Sequence, residues 1–262
     1  MNSLYIFITS ERADQYLNPI AYCVAKGTRR IVFVQLRRQI GSQVQADVLC
    51  RNVYDLAYKL SLGFYKYYIG NLKGTEVPLS NHYSAADIFA IESRYSSCLV
   101  GSVSWESESI SYTDLKPYIY SLSKQKEQPL IDISCVSKSY IGDILSCCLM
   151  KDFKKLYTFD LLKEPDFSQP WKMLMHDLKE GIDFNYVNIV ETPIFQETSK
   201  AILIKSIPLV SSISATLIFV VLALIANFVL GNNNVIIQTL SVVSAVLGIT
   251  SFFLTFFPIR RA

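Results

Sequence analysis

The C-terminal part of the chain contains 54 consecutive residues, 206–259, without Asp, Glu, Lys, Arg or His. About 18 apolar residues in a row already predict a membrane-spanning helix. The core of a soluble domain does not need so long an uncharged run. This run explains why 51% of the 262 residues are hydrophobic and the mean hydropathy is +0.28. We therefore predict a membrane protein.

Residues 231–234, with the sequence Gly-Asn-Asn-Asn, divide this run into two apolar stretches, about 207–230 and 235–257. At about 1.5 Å per residue, each stretch is long enough to cross a hydrocarbon core of about 30 Å. Backbone groups in a turn cannot be satisfied inside lipid, so the turn should lie at the far interface. The pattern predicts a transmembrane hairpin with both ends on one side.

Positive charges flank the predicted hairpin, whereas its turn carries no charge. Lys200 and Lys205 precede the first span, and Arg260 and Arg261 follow the second. By the positive-inside tendency, both termini are expected in the cytoplasm. The predicted organisation is a cytoplasmic domain over residues 1–198 and a multi-pass hairpin over residues 199–262.

Small and polar residues recur at helical spacing in the two spans. We call this set the polar stripe: Asn227, Gln238, Ser241, Ser244, Gly248, Ser251 and Thr255. Small residues allow helices to approach closely in lipid, so the stripe is explained by helix contact. Alternatively, several hairpins assemble and the stripe lines a water path, because amides in lipid often mark association or a pathway.

The first 205 residues carry 23 basic and 22 acidic side chains, which argues against a dedicated nucleic-acid surface. The six cysteines form no C-x-x-C pair, and the short apolar run at 4–8 meets Glu11 and Arg12 at once, unlike a secretion signal. We therefore expect reduced thiols in a cytosolic domain.

Alternating strand and helix patterns in residues 1–198 predict a Rossmann-like α/β fold with a mostly parallel sheet. Strands are expected near residues 5–9, 30–35, 109–112, 130–134, 156–160 and 186–190. Helices are expected after Ser10 as N-cap until Gly27, after a capping box at Ser42 and Gln45 through Phe64, at 85–93, from Thr113, at 139–150, and at Trp171 to Leu178.

The sequence has no G-x-G-x-x-G after its first strand, no G-x-x-x-x-G-K-[ST], no H-E-x-x-H and no G-x-S-x-G. Only His82 and His176 could serve a histidine-based active site. We therefore predict that the protein is not an enzyme and that it needs no cofactor or metal.

An open α/β sheet offers a crevice at the carboxyl ends of its strands, where helix N-termini can face an anion. The residues expected there that could hold a phosphorylated ligand are Ser10, Arg12, Arg37, Ser137 and Lys138. Alternatively, the serines are ordinary caps and the cations are solvated. Asp132, in mid-strand, is either structural or directed into the crevice, because a buried carboxylate needs partners.

Several segments together resemble the small membrane effectors of bacterial anti-phage systems. They are the opening LYIFITSERAD, RIVFVQ, the LIDIS strand followed by SKSYIGDIL, KLYTFDL and the terminal hairpin. The layout is most similar to the two-transmembrane effectors encoded beside retron reverse transcriptases. Cyclic-nucleotide-sensing membrane effectors are a close second.

This resemblance implies an abortive-infection toxin in the bacterial inner membrane. Its cytosolic domain would be held inactive or sense a signal, and its hairpins would then oligomerise and permeabilise the bilayer. The implied partners are the lipid bilayer, further copies of the chain, and either a reverse transcriptase with its DNA–RNA product or a nucleotide second messenger. The remaining alternative is a membrane-tethered binding module whose hairpin is only an anchor.

Overall fold

A mostly parallel six-stranded sheet forms the centre of the N-terminal part of the protein. The computed structural model describes residues 3–37, 44–151 and 153–197 and five single positions after them, 218, 221, 239, 243 and 248. The chain divides into two compact units, Met1–Thr192 and Pro193–Ala262, with the boundary slightly ahead of the predicted 198/199.

The described strands are β1 Ser3–Ile8, β2 Arg30–Arg37, β3 Phe64–Lys66, β4 Glu76–Pro78, β5 Ser104–Ser111, β6 Leu130–Asp132, β7 Leu156–Leu161 and β8 Phe184–Asn188. The described helices are α1 Ala13–Ala25, α2 Ala46–Leu60, α3 Ala85–Cys98, α4 Leu115–Ser123 and α5 Lys138–Met150. Short 3-10 turns lie at Leu79–Asn81, Tyr112–Asp114, Pro170–Met173 and Ile189–Glu191.

The strand order in the main sheet is β5-β2-β1-β6-β7-β8. The first five strands in this order are parallel, and β8 is antiparallel to β7. The chain builds outward from β1 through β2 to β5, and it then returns to the other side of β1 with β6. This reversal between β1 and β6 is the switch point of a doubly wound sheet. The predicted α/β class with a mostly parallel sheet is thus confirmed.

Strand β1 is buried on both faces, which explains its continuous apolar sequence. Leu4, Ile6 and Ile8 pack in a core with residues of α1, α2 and α3. Tyr5 and Phe7 pack in a second core with residues of α4 and α5. The sheet is therefore covered by helices on both sides, and β1 holds the two cores together.

Helix α1 begins at Ala13, so the prediction that Ser10 is its N-cap is wrong. The Oγ of Ser10 accepts the Arg12 backbone N–H at 3.3 Å, and the Tyr16 hydroxyl both accepts the Ser10 N–H and donates to the Ser10 carbonyl. These bonds hold residues 10–12 in a turn ahead of the helix. Gly27, with φ of +98°, follows the end of the helix as expected.

Two helix predictions end differently in the structure. Helix α2 stops at Leu60, and Phe64 begins the β3–β4 hairpin after Gly63, which has φ of +79°. Gln45 precedes α2 without a side-chain cap bond, and Ser42 lies outside the described residues. The expected helix from Trp171 to Leu178 is a 3-10 turn followed by further turns.

Asn18 gives the physical reason for the missing helix near Trp171. Its Nδ2 donates to the Met173 carbonyl at 2.8 Å, and its Oδ1 accepts the Met175 N–H at 2.9 Å. These two backbone groups are thereby held by α1 instead of a helical ladder. Asn18 thus ties the segment after Pro170–Met173 to α1, in addition to the apolar packing of Leu174 and Met175 in the same core.

The C-terminal unit is described only in part. Residues 193–197 and the five single positions are helical, and the exposed hydrophobic side chains among those five are Ile218, Val221 and Val243. Among the described residues, no helix is long and apolar enough to cross a membrane. Both predicted spans lie largely outside the described residues, as does the polar stripe apart from Gly248.

We predict that Asn18→Ala destabilises the α/β unit by about 2 kcal/mol, because it leaves two backbone groups near Trp171 without their partner. Urea unfolding of the full chain in detergent, followed by tryptophan fluorescence, measures this, since both tryptophans, Trp105 and Trp171, lie in this unit. Gln15→Ala, at an exposed position of the same helix, is the control. Equal midpoints for the two variants would contradict the prediction.

Candidate functional site

A cavity of about 300 Å³ opens at the switch point, where β1, β6 and β7 end. Arg12 and Asp14 come from the start of α1, Ser134 and Cys135 follow β6, and Phe159 belongs to β7. The other lining residues are Gln15, Asn18, Leu161, Pro165, Asp166, Phe167, Pro170, Met173 and Leu174. This is the position at which open α/β sheets bind ligands.

A second cavity of about 430 Å³ adjoins the first. The two share the lining residues Arg12, Asp14, Phe167 and Pro170. The β3–β4 hairpin supplies the far wall, with the side chains of Tyr65, Tyr67 and Tyr68 followed by residues 69–72. We call the two cavities together the switch cleft. Its wall combines aromatic rings with one arginine, which suits a flat ligand.

Arg12 lies at the centre of the switch cleft and already has a carboxylate partner. Its Nη2 lies 2.7 Å from Asp14 Oδ2, its Nε lies 3.3 Å from Asp14 Oδ1, and its guanidinium carbon lies 5.1 Å from the centre of the Phe167 ring. The hydrogen bond to Asp14 raises the pKa of Arg12 above its usual value. The guanidinium is thus held between a carboxylate and a ring.

The charges around the first cavity disfavour an anion. Arg12 is its one cation among the described lining residues, and Asp14 and Asp166 give it a formal charge of −1. Asp14 also occupies the first turn of α1, where a negative side chain already interacts with the helix dipole. A free phosphate would have to displace Asp14 from Arg12. The cleft therefore favours a neutral or cationic group at this point.

Asp132 lies behind the cleft wall and is fully buried. One carboxylate oxygen accepts the Ser134 N–H at 3.0 Å, and the other accepts the hydroxyls of Ser134 at 2.8 Å and Tyr186 at 2.9 Å. The Ser134 hydroxyl in turn accepts the Phe159 N–H at 2.7 Å. Of the two predicted roles, the structure shows the structural one, because Asp132 fixes two cleft residues and does not line the cleft.

Burial raises the pKa of Asp132 to about 6, although the hydrogen bonds from Ser134 and Tyr186 oppose this shift. Burial and the nearby Asp132 charge raise the pKa of Tyr186 well above its usual value, so its hydroxyl stays a donor. Cys23 in α1 donates its thiol to the Tyr186 hydroxyl at 3.7 Å. A buried polar chain therefore links α1, β8 and β6.

The chemistry available in the cleft is hydrogen bonding and stacking. Burial raises the pKa of the Cys135 thiol, which disfavours the reactive thiolate. His176 lies outside the cleft lining, and burial lowers its pKa to about 4. Among the described residues, no group of three or more His, Cys, Asp or Glu side chains is placed to hold a metal ion.

Of the predicted ligand-binding residues, the structure places only Arg12 in the switch cleft lining. Ser10 is tied to Tyr16, and Arg37 is exposed at the end of β2. Ser137 donates its N–H to Thr9 Oγ1 at 2.7 Å, and its hydroxyl pairs with that of Ser139. Lys138 is exposed at the start of α5, a helix on the opposite face of the sheet from α1.

Sequence reasoning missed the aromatic walls of the cleft. Tyr65, Tyr67 and Tyr68 form a dense aromatic cluster in the sequence, which was a usable signal. Phe167 carries no comparable signal, because it is a single aromatic residue in the loop between β7 and the Pro170–Met173 turn.

We predict that Asp132 makes the free energy of unfolding depend on pH in the opposite direction to a carboxylate whose pKa is lowered by folding. Its folded pKa of about 6 exceeds the unfolded value near 3.9, so between these values the folded state binds more protons. The free energy of unfolding should therefore fall as the pH rises through this window. Relative to Asp132→Asn, the wild type should lose roughly 1 kcal/mol between pH 5 and 7.

Urea unfolding at both pH values, with tryptophan fluorescence of the full chain, measures this difference. The comparison with Asp132→Asn removes the contributions of other titrating groups. Parallel pH profiles for wild type and variant would show that Asp132 does not titrate in this range.

No protein-family model matches this chain, and no curated protein or solved structure matches it, so its own residues alone carry the functional argument.

Proposed function

We propose that this chain is a membrane-disrupting effector of a bacterial anti-phage system, of the retron type, in which the α/β domain controls a C-terminal transmembrane hairpin. The observation that carries the proposal is the uncharged run at 206–259, bordered by Lys200, Lys205, Arg260 and Arg261. An anchor alone needs one span, whereas two spans with a polar stripe offer surfaces for assembly.

In this proposal the hairpin lies in the bacterial inner membrane with both termini in the cytoplasm. On activation, several hairpins associate through the polar stripe and open a path for water and ions. Gln238 and Asn227 are central to this step, because amides in lipid require hydrogen-bonding partners. The helical conformation at positions 218, 221, 239, 243 and 248 is consistent with helices in both predicted spans.

The charge of the switch cleft bears on how the effector is controlled. Arg12 is neutralised by Asp14, and Asp166 leaves the first cavity with a formal charge of −1. A nucleotide messenger would bring phosphates to a place that repels them. This supports restraint by a protein partner, the reverse transcriptase with its DNA–RNA product, over direct sensing of a free nucleotide.

A second candidate function rests on the aromatic wall of the cleft. Tyr65, Tyr67, Tyr68 and Phe167 line the cavity of about 430 Å³, and the stacking of a base on an aromatic side chain is worth about 1–3 kcal/mol. In this version the α/β domain is a membrane-tethered binding module or a cyclic-nucleotide sensor. Binding would then require Arg12 to exchange Asp14 for the ligand.

The effector proposal predicts loss of membrane potential. Bacteria that express the full chain should depolarise, and Gln238→Leu with Ser244→Leu should abolish this because it removes an amide and a hydroxyl from the polar stripe while the spans stay insertable. A voltage-sensitive dye reports the potential, and resistance to carbonate extraction reports insertion. The matched control is Val242→Leu with Val246→Leu, on the opposite face of the predicted helix.

Co-expression with neighbouring genes separates the modes of control. Suppression of depolarisation by a neighbouring gene product indicates a restraining partner. Depolarisation that is unchanged in the Gln238 and Ser244 variant would exclude the stripe as the working surface. A stable potential in every state, including phage infection, would leave the hairpin as an anchor and favour the binding module.

A further inference from the structure

Five lysines gather at the edge of the sheet opposite the switch cleft. They are Lys124 after α4, Lys126 before β6, Lys151 after α5, and Lys154 and Lys155 before β7. We call this surface the lysine face. Since β6 and β7 are parallel, the segments that lead into them lie at the same, amino-terminal edge. The fold thus brings the lysines together from two separate segments, the α4–β6 loop and the α5–β7 loop.

The contacts within the lysine face show how close these segments are. The ammonium groups of Lys124 and Lys151 each lie 4.3 Å from the centre of the Tyr120 ring. The backbone N–H of Lys154 donates to Gln128 Oε1 at 3.0 Å, and this hydrogen bond joins the loop before β6 to the loop before β7. The hydrogen bond and charge of Lys124, with a further contribution from Lys151, lower the pKa of Tyr120.

The lysine face is exposed and positively charged. Lys124, Lys126 and Lys154 are exposed. The two segments that carry the five lysines, 124–127 and 151–155, contain two acidic residues, Glu127 and Asp152, so the formal charge of these segments is +3. Met150 beside it is 62% exposed. The lysines therefore lie next to the exposed ring of Tyr120 and the exposed side chain of Met150. This combination suits binding to a surface that is both anionic and partly apolar.

The chain leaves the α/β unit at this same edge. Because β8 runs antiparallel to β7, its last residue, Asn188, pairs with Tyr157 near the beginning of β7. The Nδ2 of Asn188 donates to the Lys154 carbonyl at 2.9 Å. A parallel β8 would have released the chain at the switch cleft instead. The reversed strand therefore ends at the amino edge of the sheet, beside the lysine face and away from the switch cleft.

Only thirteen residues, 193–205, connect the α/β unit to the uncharged run. They span about 20 Å if helical and at most about 45 Å if extended. A tether this short keeps the lysine face at a high effective concentration near any bilayer that the run enters. The cytoplasmic leaflet of such a bilayer carries anionic lipids.

We propose that the lysine face docks the α/β unit onto anionic phospholipid headgroups of the membrane, which leaves the switch cleft turned to the cytosol. The inference rests on the proposed membrane insertion of the C-terminal run. Each lysine near an anionic surface contributes about fivefold to association, so the exposed three together contribute on the order of a hundredfold. The charge is screened within about 8 Å at physiological salt, so docking is lost at high salt.

Lysine footprinting tests this proposal. The full chain is reconstituted in vesicles of phosphatidylcholine alone or with 30% phosphatidylglycerol, and a membrane-impermeant acetylating reagent labels exposed amines. Mass spectrometry gives the labelling of Lys124, Lys126 and Lys154 relative to three exposed lysines elsewhere, Lys73, Lys116 and Lys163. We expect at least about tenfold lower relative labelling with the anionic lipid, reversed by 0.5 M salt.

Two charge-matched variants sharpen the result. In Lys124→Gln/Lys126→Gln/Lys154→Gln, the labelling of Lys151 and Lys155 should no longer depend on phosphatidylglycerol. Lys73→Gln/Lys116→Gln/Lys163→Gln removes the same charge elsewhere and should keep the dependence. Unfolding midpoints followed by tryptophan fluorescence verify that both variants remain folded.

Equal labelling in both kinds of vesicle would overturn the proposal. Carbonate extraction of the same vesicles decides membrane insertion separately, so a chain that resists extraction without lipid-dependent labelling loses only the docking inference. A chain that is extracted loses the proposed function. Protection by a single-stranded oligonucleotide in phosphatidylcholine vesicles, without protection by phosphatidylglycerol, would assign the lysine face to nucleic acid and also overturn the proposal.

Discussion

The α/β unit depends on one buried carboxylate. Asp132 is fully enclosed, and a charge in that position is tolerated only with hydrogen-bonding partners on each oxygen. Ser134 and Tyr186 supply them, and they come from the loop after β6 and from β8. Because Ser134 also binds the Phe159 backbone, the same carboxylate sets the wall of the cleft and the position of the last strand.

The two edges of the sheet carry surfaces of different chemistry. The carboxyl edge of the sheet carries a cleft with aromatic walls and a neutralised arginine, whereas the amino edge carries five lysines. Since β8 reverses direction, the chain departs from the lysine edge. The cleft and the end of the last strand therefore lie at opposite edges of the sheet.

The sequence predicted the elements whose signal is local. The apolar runs at 5–9 and 30–35 are central strands because both of their faces are buried, and Gly27 ends α1 through its own backbone. Long-range contacts could not be read in this way. The Asn18 side chain donates to the backbone carbonyl of Met173, which lies 155 positions later in the chain. Arg12 pairs with Asp14, and this ion pair depends on where α1 begins. The transmembrane hairpin remains a prediction from composition.

The attachment of β8 also has a mechanical consequence. This strand pairs with β7 over five positions, and the chain continues from its end towards the C-terminal unit. A pull along the strand from that end loads all of these backbone bonds in shear, so they resist together and yield together. The Tyr186–Asp132 bond would break in the same event and leave the buried carboxylate with Ser134 as its remaining hydrogen-bond partner. Tension on the C-terminal segment would therefore leave the hydrogen bonds behind the cleft wall intact up to a threshold force and then break them in one step.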